Sequence, residues 1–229
     1  MTDEQLKELV ETYEPNAQVV KAAGDIKMLA TVGPSASGKT TLMRALAAKD
    51  PDFKLVVGET SRPLRPNEDG TIDMITRSKE DILTDLKNGE LLQVVRGPNG
   101  DFYCTRPSSF PAEGIGLFPL VPLGVRQFRA LPLSFFAAAF IVPASFEAWQ
   151  EWLKKQAEIS GWSKEKLAQR LGEAKESYEF ALNDKQIHFV LNDQVEKAVQ
   201  RLAQVGRGQT PDDEEQARLV ATENLRKLG

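Results

Sequence analysis

The chain has 229 residues and a formal net charge of −4, enough length for one full core with room for a small insertion, and its acidic balance gives no electrostatic footprint for nonspecific binding to DNA or RNA. A single cysteine, Cys104, has no partner for an internal disulfide, and the opening MTDEQLKELV has neither the basic nor the apolar region of a signal peptide. The apolar stretch 115–146 is broken by Arg126, Arg129 and several prolines, so neither a membrane span nor a nucleic-acid partner is expected, and the cytoplasm is the expected compartment.

In chain order, Thr2 followed by Gln5 makes a capping box, and Leu6, Leu9 and Val10 share a face, which predicts a helix over 2–13. Pro15 and Asn16 end it, and a polar linker leads to Gly24. Residues 26–32 form an apolar, β-branched run of strand length. GPSASGKTT follows at 33–41, and a helix starts at Lys39 and runs to Lys49.

A strand, a glycine-bounded loop and a helix in that order are the setting of a phosphate-binding P-loop. Gly33 and Gly38 let the backbone turn tightly, so that the N–H groups of the intervening Pro34-Ser35-Ala36-Ser37 segment and of Thr41 come close to phosphate oxygens; the helix start adds its positive dipole end. Lys39 would reach the outer phosphates, and the Thr40 hydroxyl would ligate Mg²⁺.

A second strand is expected over 53–57. From Gly58 the composition turns to proline and charge in TSRPLRPNEDG, where Arg62 and Arg65 lie close enough to grip one anion, since each guanidinium can give a phosphate two parallel hydrogen bonds. Ser78 with Asp81 opens a helix that stops at Asn88 and Gly89, and 91–95, GPNG and 102–105 read as a hairpin. Strands are expected over 115–121 and 135–142 with a helix over 125–130 between them. A helix over 145–156 turns Trp149, Trp152 and Leu153 into the core. The longest helix, 163–183, carries Leu167, Leu171, Ala174, Tyr178 and Leu182 on one face with Arg170 beside it. A last strand over 187–191 holds the only histidine, His188, in a structural position, and a helix over 194–204 follows. Thr210, Pro211 and the acids at 212–215 start a terminal helix by cap and dipole rules.

Strands alternating with helices behind a P-loop give an α/β fold: a P-loop NTPase-like, doubly wound parallel sheet with ligands at the carboxyl ends of its strands.

Together, GPSASGKTTL, TSRPLRPNEDG, SKEDILTDLKNGELLQV with GDFYCT, LGVRQFR and FVLND resemble a guanylate kinase from about Ile26 to Leu202. The resemblance implies transfer of the γ-phosphoryl group of ATP to GMP with Mg²⁺, and a kinase domain over 24–205 with an acceptor-binding insert over 59–114 and a lid over 154–169. Residues 1–23 (helix and linker) and 206–229 (helix) flank it. It also implies that Gly33 to Thr41 hold ATP, with Asn192 near the adenine. Arg62, Arg65 and Tyr103 would grip the acceptor phosphate, Glu68 would join that loop, Gln93 and Thr105 would face the base, and Lys39, Arg62 and Arg170 would surround the transferred group.

The sequence departs from the family pattern at several of these places. A phosphate-binding tyrosine becomes Met74, a base-facing serine becomes Gly58, and the guanine-reading glutamate becomes Gln93. Two strand acids become Pro119 and Val121, and the lid arginines are absent. Slow turnover and weaker selection of guanine over adenine or cytosine are therefore expected. Alternatives to the kinase are a catalytically degenerate module binding a protein partner and a kinase for another monophosphate acceptor.

Overall fold

The computed structural model describes residues 2–64, 68–97 and 99–229. In chain order the elements are α1 (Asp3–Glu11), α2 (Ala17–Ala23), β1 (Lys27–Val32), α3 (Lys39–Lys49), β2 (Phe53–Leu55), β3 (Gly58–Thr60), β4 (Met74–Thr76), α4 (Lys79–Asn88), β5 (Gln93–Arg96) and β6 (Phe102–Thr105). They continue as β7 (Ile115–Pro119), α5 (Pro122–Arg129), β8 (Phe135–Pro143), α6 (Phe146–Ile159), α7 (Lys164–Asn183), β9 (Ile187–Asn192), α8 (Val195–Gly206) and α9 (Glu214–Leu228).

Five strands make the central parallel sheet, in the order β2-β7-β1-β8-β9. Its middle strand β1 is buried from Met28 to Val32, on both faces, which is why its sequence is a continuous apolar run without alternation. A second, four-stranded sheet has the order β4-β3-β6-β5, with β6 antiparallel to both neighbours.

The chain forms two compact units: Met1–Met28, Asp52–Phe118 and Leu123–Phe136 make the first, and Leu29–Pro51, Pro119–Pro122 and Ala137–Gly229 the second. In the first unit, Val10 and Tyr13 join Ile82, Leu86, Leu91, Val94, Phe102 and Cys104 in one core. The Tyr13 hydroxyl donates to the Leu91 carbonyl at 2.6 Å and accepts from the Leu91 N–H at 2.8 Å, so one side chain satisfies both backbone groups just ahead of β5. Strand alternation sends Val94, Phe102 and Cys104 into this core and Gln93, Tyr103 and Thr105 to the opposite face.

In the second unit, Trp149, Leu153 and Ala174 make a core between α6 and α7, and Ala36, Trp162, Leu167, Leu171 and Leu228 pack against it. Helix α9 lies on α7 and β9. Its buried Asn224 donates to the Tyr178 hydroxyl at 3.3 Å and lies 3.4 Å from the Pro143 carbonyl, and the Arg218 guanidinium lies 4.1 Å from the Phe189 ring centroid.

Four local expectations change. The expected linker before Gly24 is the helix α2, because the Asn16 side chain accepts from the N–H groups of Gln18 and Val19 and so starts a helix as well as ending the one before it. Short strands β3 and β4 border the charged proline-rich loop. The terminal helix begins at Glu214, since the Asp213 carboxylate pairs with Arg201 and provides no cap for α9. Trp152 is half-buried, whereas Trp149 is fully buried. His188 is held by Glu214 at 2.8 Å between β9 and α9, a structural contact. Among the described residues no helix is long and apolar enough to cross a membrane.

Candidate functional site

The P-loop of the second unit has the backbone its glycines predict. Gly33 has φ +142° and Gly38 φ +92°, and Ala36 is also left-handed at φ +61°. A Cβ on Gly33 would come within 2.9 Å of the Ile141 carbonyl oxygen, and one on Gly38 would run into the Asn192 amide. The loop is therefore bare backbone at both ends. It is held from outside: Trp149 Nε1 donates to the Ser35 carbonyl at 2.8 Å and Asn192 Nδ2 to the Ser37 carbonyl at 2.9 Å, while Ala36 packs on the α6–α7 core.

Helix α3 starts at Lys39 behind Gly38, which provides no side-chain cap and so leaves first-turn N–H groups for another acceptor. Lys39 bends back and donates from Nζ to the carbonyls of Gly33 and Pro34, each at 2.7 Å. Burial, and then the nearby charge of Arg170, push the pKa of Lys39 down to about 8. Two cations within electrostatic reach of each other make a place suited to an anion. The buried Oγ of Ser37 has no hydrogen-bond partner, nor has Nε of Arg170. Arg170 is held by Glu173 one turn along α7 and by the face of Trp162, 5.5 Å from its guanidinium carbon. Thr40 and Thr41 are exposed in the first turn of α3.

The first unit carries the other set. Arg62 and Glu68 form a two-pronged pair, Nη1 to Oε2 and Nη2 to Oε1, both at 2.7 Å. The Arg62 guanidinium carbon lies 5.8 Å from the Tyr103 ring centroid. Arg65 lies outside the described residues. Gln93 and Thr105 stand opposite each other in the β5–β6 ladder, both fully buried, and neither Gln93 Oε1 nor Thr105 Oγ1 has a partner. Gly58 belongs to the same face, and its missing side chain is filled by Phe118, whose Cζ would lie 2.8 Å from a Cβ built there. Met74 is paired with Gly58 in the ladder and brings a thioether, not a hydroxyl, to it.

On the reverse face lies a cluster that the sequence did not announce. Arg77 Nη1 donates to Glu59 at 3.0 Å and to Asp85 at 2.9 Å; Arg106 Nε donates to Glu59 at 2.8 Å, and Arg106 Nη2 also pairs with Asp85. This ring of two acids and two arginines ties β3 and α4 to the segment leaving β6, immediately after Thr105. Cys104 is buried beside it, its thiol pushed up to about 12 by burial and then by the Glu59 charge. It is an inert core residue.

Each unit thus gathers its own predicted residues. Lys39, Arg170 and Asn192 surround the P-loop, while Arg62, Glu68, Tyr103, Gln93 and Thr105 belong to the strand-and-loop surface of β3, β5 and β6. Asn192 is a loop support through Ser37, a contact not visible in sequence.

The guanylate kinase family pattern matches residues 25–207 of this chain. The chain is 31% identical over 180 residues to the guanylate kinase of Methylobacillus flagellatus, covering 77% of this chain and 86% of that one. It is 31% identical over 181 residues to the guanylate kinase of a Nostoc species, with 77% and 87% covered, and 32% identical over 180 residues to that of Streptococcus agalactiae, with 76% and 82% covered. Among solved structures, guanylate kinase from Anaplasma phagocytophilum has the same fold, with a TM-score of 0.54 at 19% identity, over 81% of this chain and 86% of that one.

Proposed function

The chain belongs to the guanylate kinase family, and from that premise we propose how its own residues carry the γ-phosphoryl group of ATP to GMP, giving ADP and GDP. The observation that carries the proposal is Lys39, an ammonium folded onto two carbonyls of a left-handed glycine loop at an uncapped helix start, beside a second cation, Arg170. That arrangement suits a bound polyphosphate.

The backbone N–H groups of Gly33 to Thr41, including those of Ser35, Ala36 and Ser37, cradle the ATP phosphates, and Lys39 leaves the carbonyls of Gly33 and Pro34 to reach the outer ones. Asn192 acts on the ATP side by fixing Ser37. Arg62, Arg65 and Tyr103 hold the phosphate of GMP, and Glu68 sets the plane of the Arg62 fork. Gln93 and Thr105 meet the base. An oxygen of the GMP phosphate attacks the γ-phosphorus, and the bond to the ADP oxygen breaks on the opposite side. That nucleophile carries no proton at neutral pH, so positioning and charge neutralisation by Lys39, Arg62 and Arg170 suffice.

Mg²⁺ fits this donor set. Among the described residues no group of three or more His, Cys, Asp or Glu could hold a metal, and Mg²⁺ favours a mixed shell of hydroxyl, phosphate oxygen and water, to which Thr40 at the exposed first turn contributes. When bound, the ion neutralises charge on the phosphates.

The functional domain is 24–205, with the acceptor insert over 59–114 and the lid over 154–169 where α6 gives way to α7; 1–23 and 206–229 flank it, and the cytoplasm suits a nucleotide kinase. With ATP labelled at the γ-phosphorus, GMP and Mg²⁺, the label is expected at the β-position of GDP. Label appearing only as inorganic phosphate would reject the transfer.

A further inference from the structure

Gln93 and Thr105 face each other across the β5–β6 ladder at 1% and 0% exposure, and Gln93 Oε1 and Thr105 Oγ1 are both without a hydrogen-bond partner. A buried polar atom without a partner is rare in a folded chain, and two opposed on one face call for a ligand that supplies what they lack. Tyr103 is on the same face, and so is Gly58, where Phe118 and Met74 contribute ring and thioether but no hydroxyl. Among the described residues of this face, Gln93 Oε1 and Thr105 Oγ1 are the buried side-chain oxygens without a partner.

Resting on the kinase reading above, we propose that this pair recognises a 6-oxopurine through its lactam edge, the ring N1–H beside the C6 carbonyl, and is blind to the 2-amino group. The site then takes the hypoxanthine nucleotide IMP as well as it takes GMP. A carboxylate presents two acceptors, which match the adjacent N1–H and 2-amino donors of guanine. An amide presents one acceptor and one donor in a plane. With Gln93 Oε1 on N1–H, its Nε2 lies either toward the 2-amino group, donor against donor, or toward O6, donor against acceptor. The second arrangement alone leaves no polar clash, and it uses the whole amide on an edge that hypoxanthine shares with guanine. Thr105 can donate a further hydrogen bond to O6, which satisfies the other orphaned oxygen. Nothing in the pair is left to register the 2-amino group.

The test is the ratio of kcat/KM for GMP over IMP with MgATP, together with equilibrium binding of the two monophosphates to the unmodified protein. The ratio is expected within about tenfold, both in turnover and in binding. A site built to bond a donor rejects an analogue lacking it by up to about 10⁴-fold, so a wild-type preference for GMP above tenfold in either measurement overturns the proposal. Gln93→Glu is expected to raise the GMP-over-IMP ratio by about a hundredfold, because the carboxylate accepts from both guanine donors. An unchanged ratio in a folded Gln93→Glu protein also contradicts the assignment. Absence of turnover with GMP itself would count against the kinase reading, and the binding ratio would then still decide the question of the 2-amino group.

Discussion

Lys39 donates from Nζ to the carbonyl oxygen of Gly33 across 2.7 Å, so the lysine at the start of α3 bonds back to the first glycine of its own loop. In that position burial and Arg170 hold its pKa at about 8, below the ordinary lysine value of 10.5. Phosphate oxygens favour the charged form, so nucleotide binding raises this pKa and protons are taken up. Affinity for MgATP is expected to weaken as pH rises through 8 and beyond. Calorimetry at pH 8.5 in buffers of different ionisation enthalpy is expected to show uptake on the order of half a proton per nucleotide. Lys39→Arg, permanently charged, removes that uptake. Proton release, or uptake that persists in the arginine variant, would assign the titration to another group.

Arg62 and Glu68 hold each other through two parallel bonds, which fixes the plane of the guanidinium and leaves its Nε without a partner. Arg62→Ala is expected to cost about 2–4 kcal/mol in kcat/KM for GMP, the usual scale for a charge-assisted contact in a desolvated site. Guanosine without its phosphate is expected to bind far worse than GMP. Equal binding of nucleoside and nucleotide would remove the phosphate clamp from the account.

Much of this was legible from local signals. Ser78 and Gly89 bound α4 as their cap chemistry predicts, Thr2 and Gln5 open α1, and Gly33 and Gly38 take the left-handed backbone that their motif implies. What was not legible depends on distant partners. Asn16 caps α2 while its backbone N–H bonds the Gly89 carbonyl, and Asp213 is drawn from the cap of α9 by Arg201. The Glu59-Arg77-Asp85-Arg106 ring joins residues spread over nearly fifty positions, with no spacing that a linear reading could detect. In the candidate site the P-loop has a sequence signature, but the Phe118 ring against Gly58 has none: a glycine in a strand says only that something approaches closely.

Tyr13 lies outside the span matched by the family pattern, yet its hydroxyl bonds both backbone groups of Leu91, two residues before Gln93. Tyr13→Phe leaves a buried N–H and a buried carbonyl unpaired and is expected to destabilise the protein by about 1–3 kcal/mol. Urea denaturation reads this directly as a lower midpoint at unchanged slope. A shift below about 0.5 kcal/mol would show that Tyr13 contributes packing alone.

In the proposed reaction this chain moves a phosphoryl group from ATP to GMP by means of its P-loop lysine. The most direct measurement quantifies ADP and GDP together, by chromatography, after incubation with ATP, GMP and Mg²⁺, for the wild type and for a folded Lys39→Ala variant. Equal amounts of ADP and GDP are expected from the wild type, with the rate reduced about a hundredfold or more in the variant. ADP formed without GDP, or undiminished GDP formation by Lys39→Ala, would contradict the account.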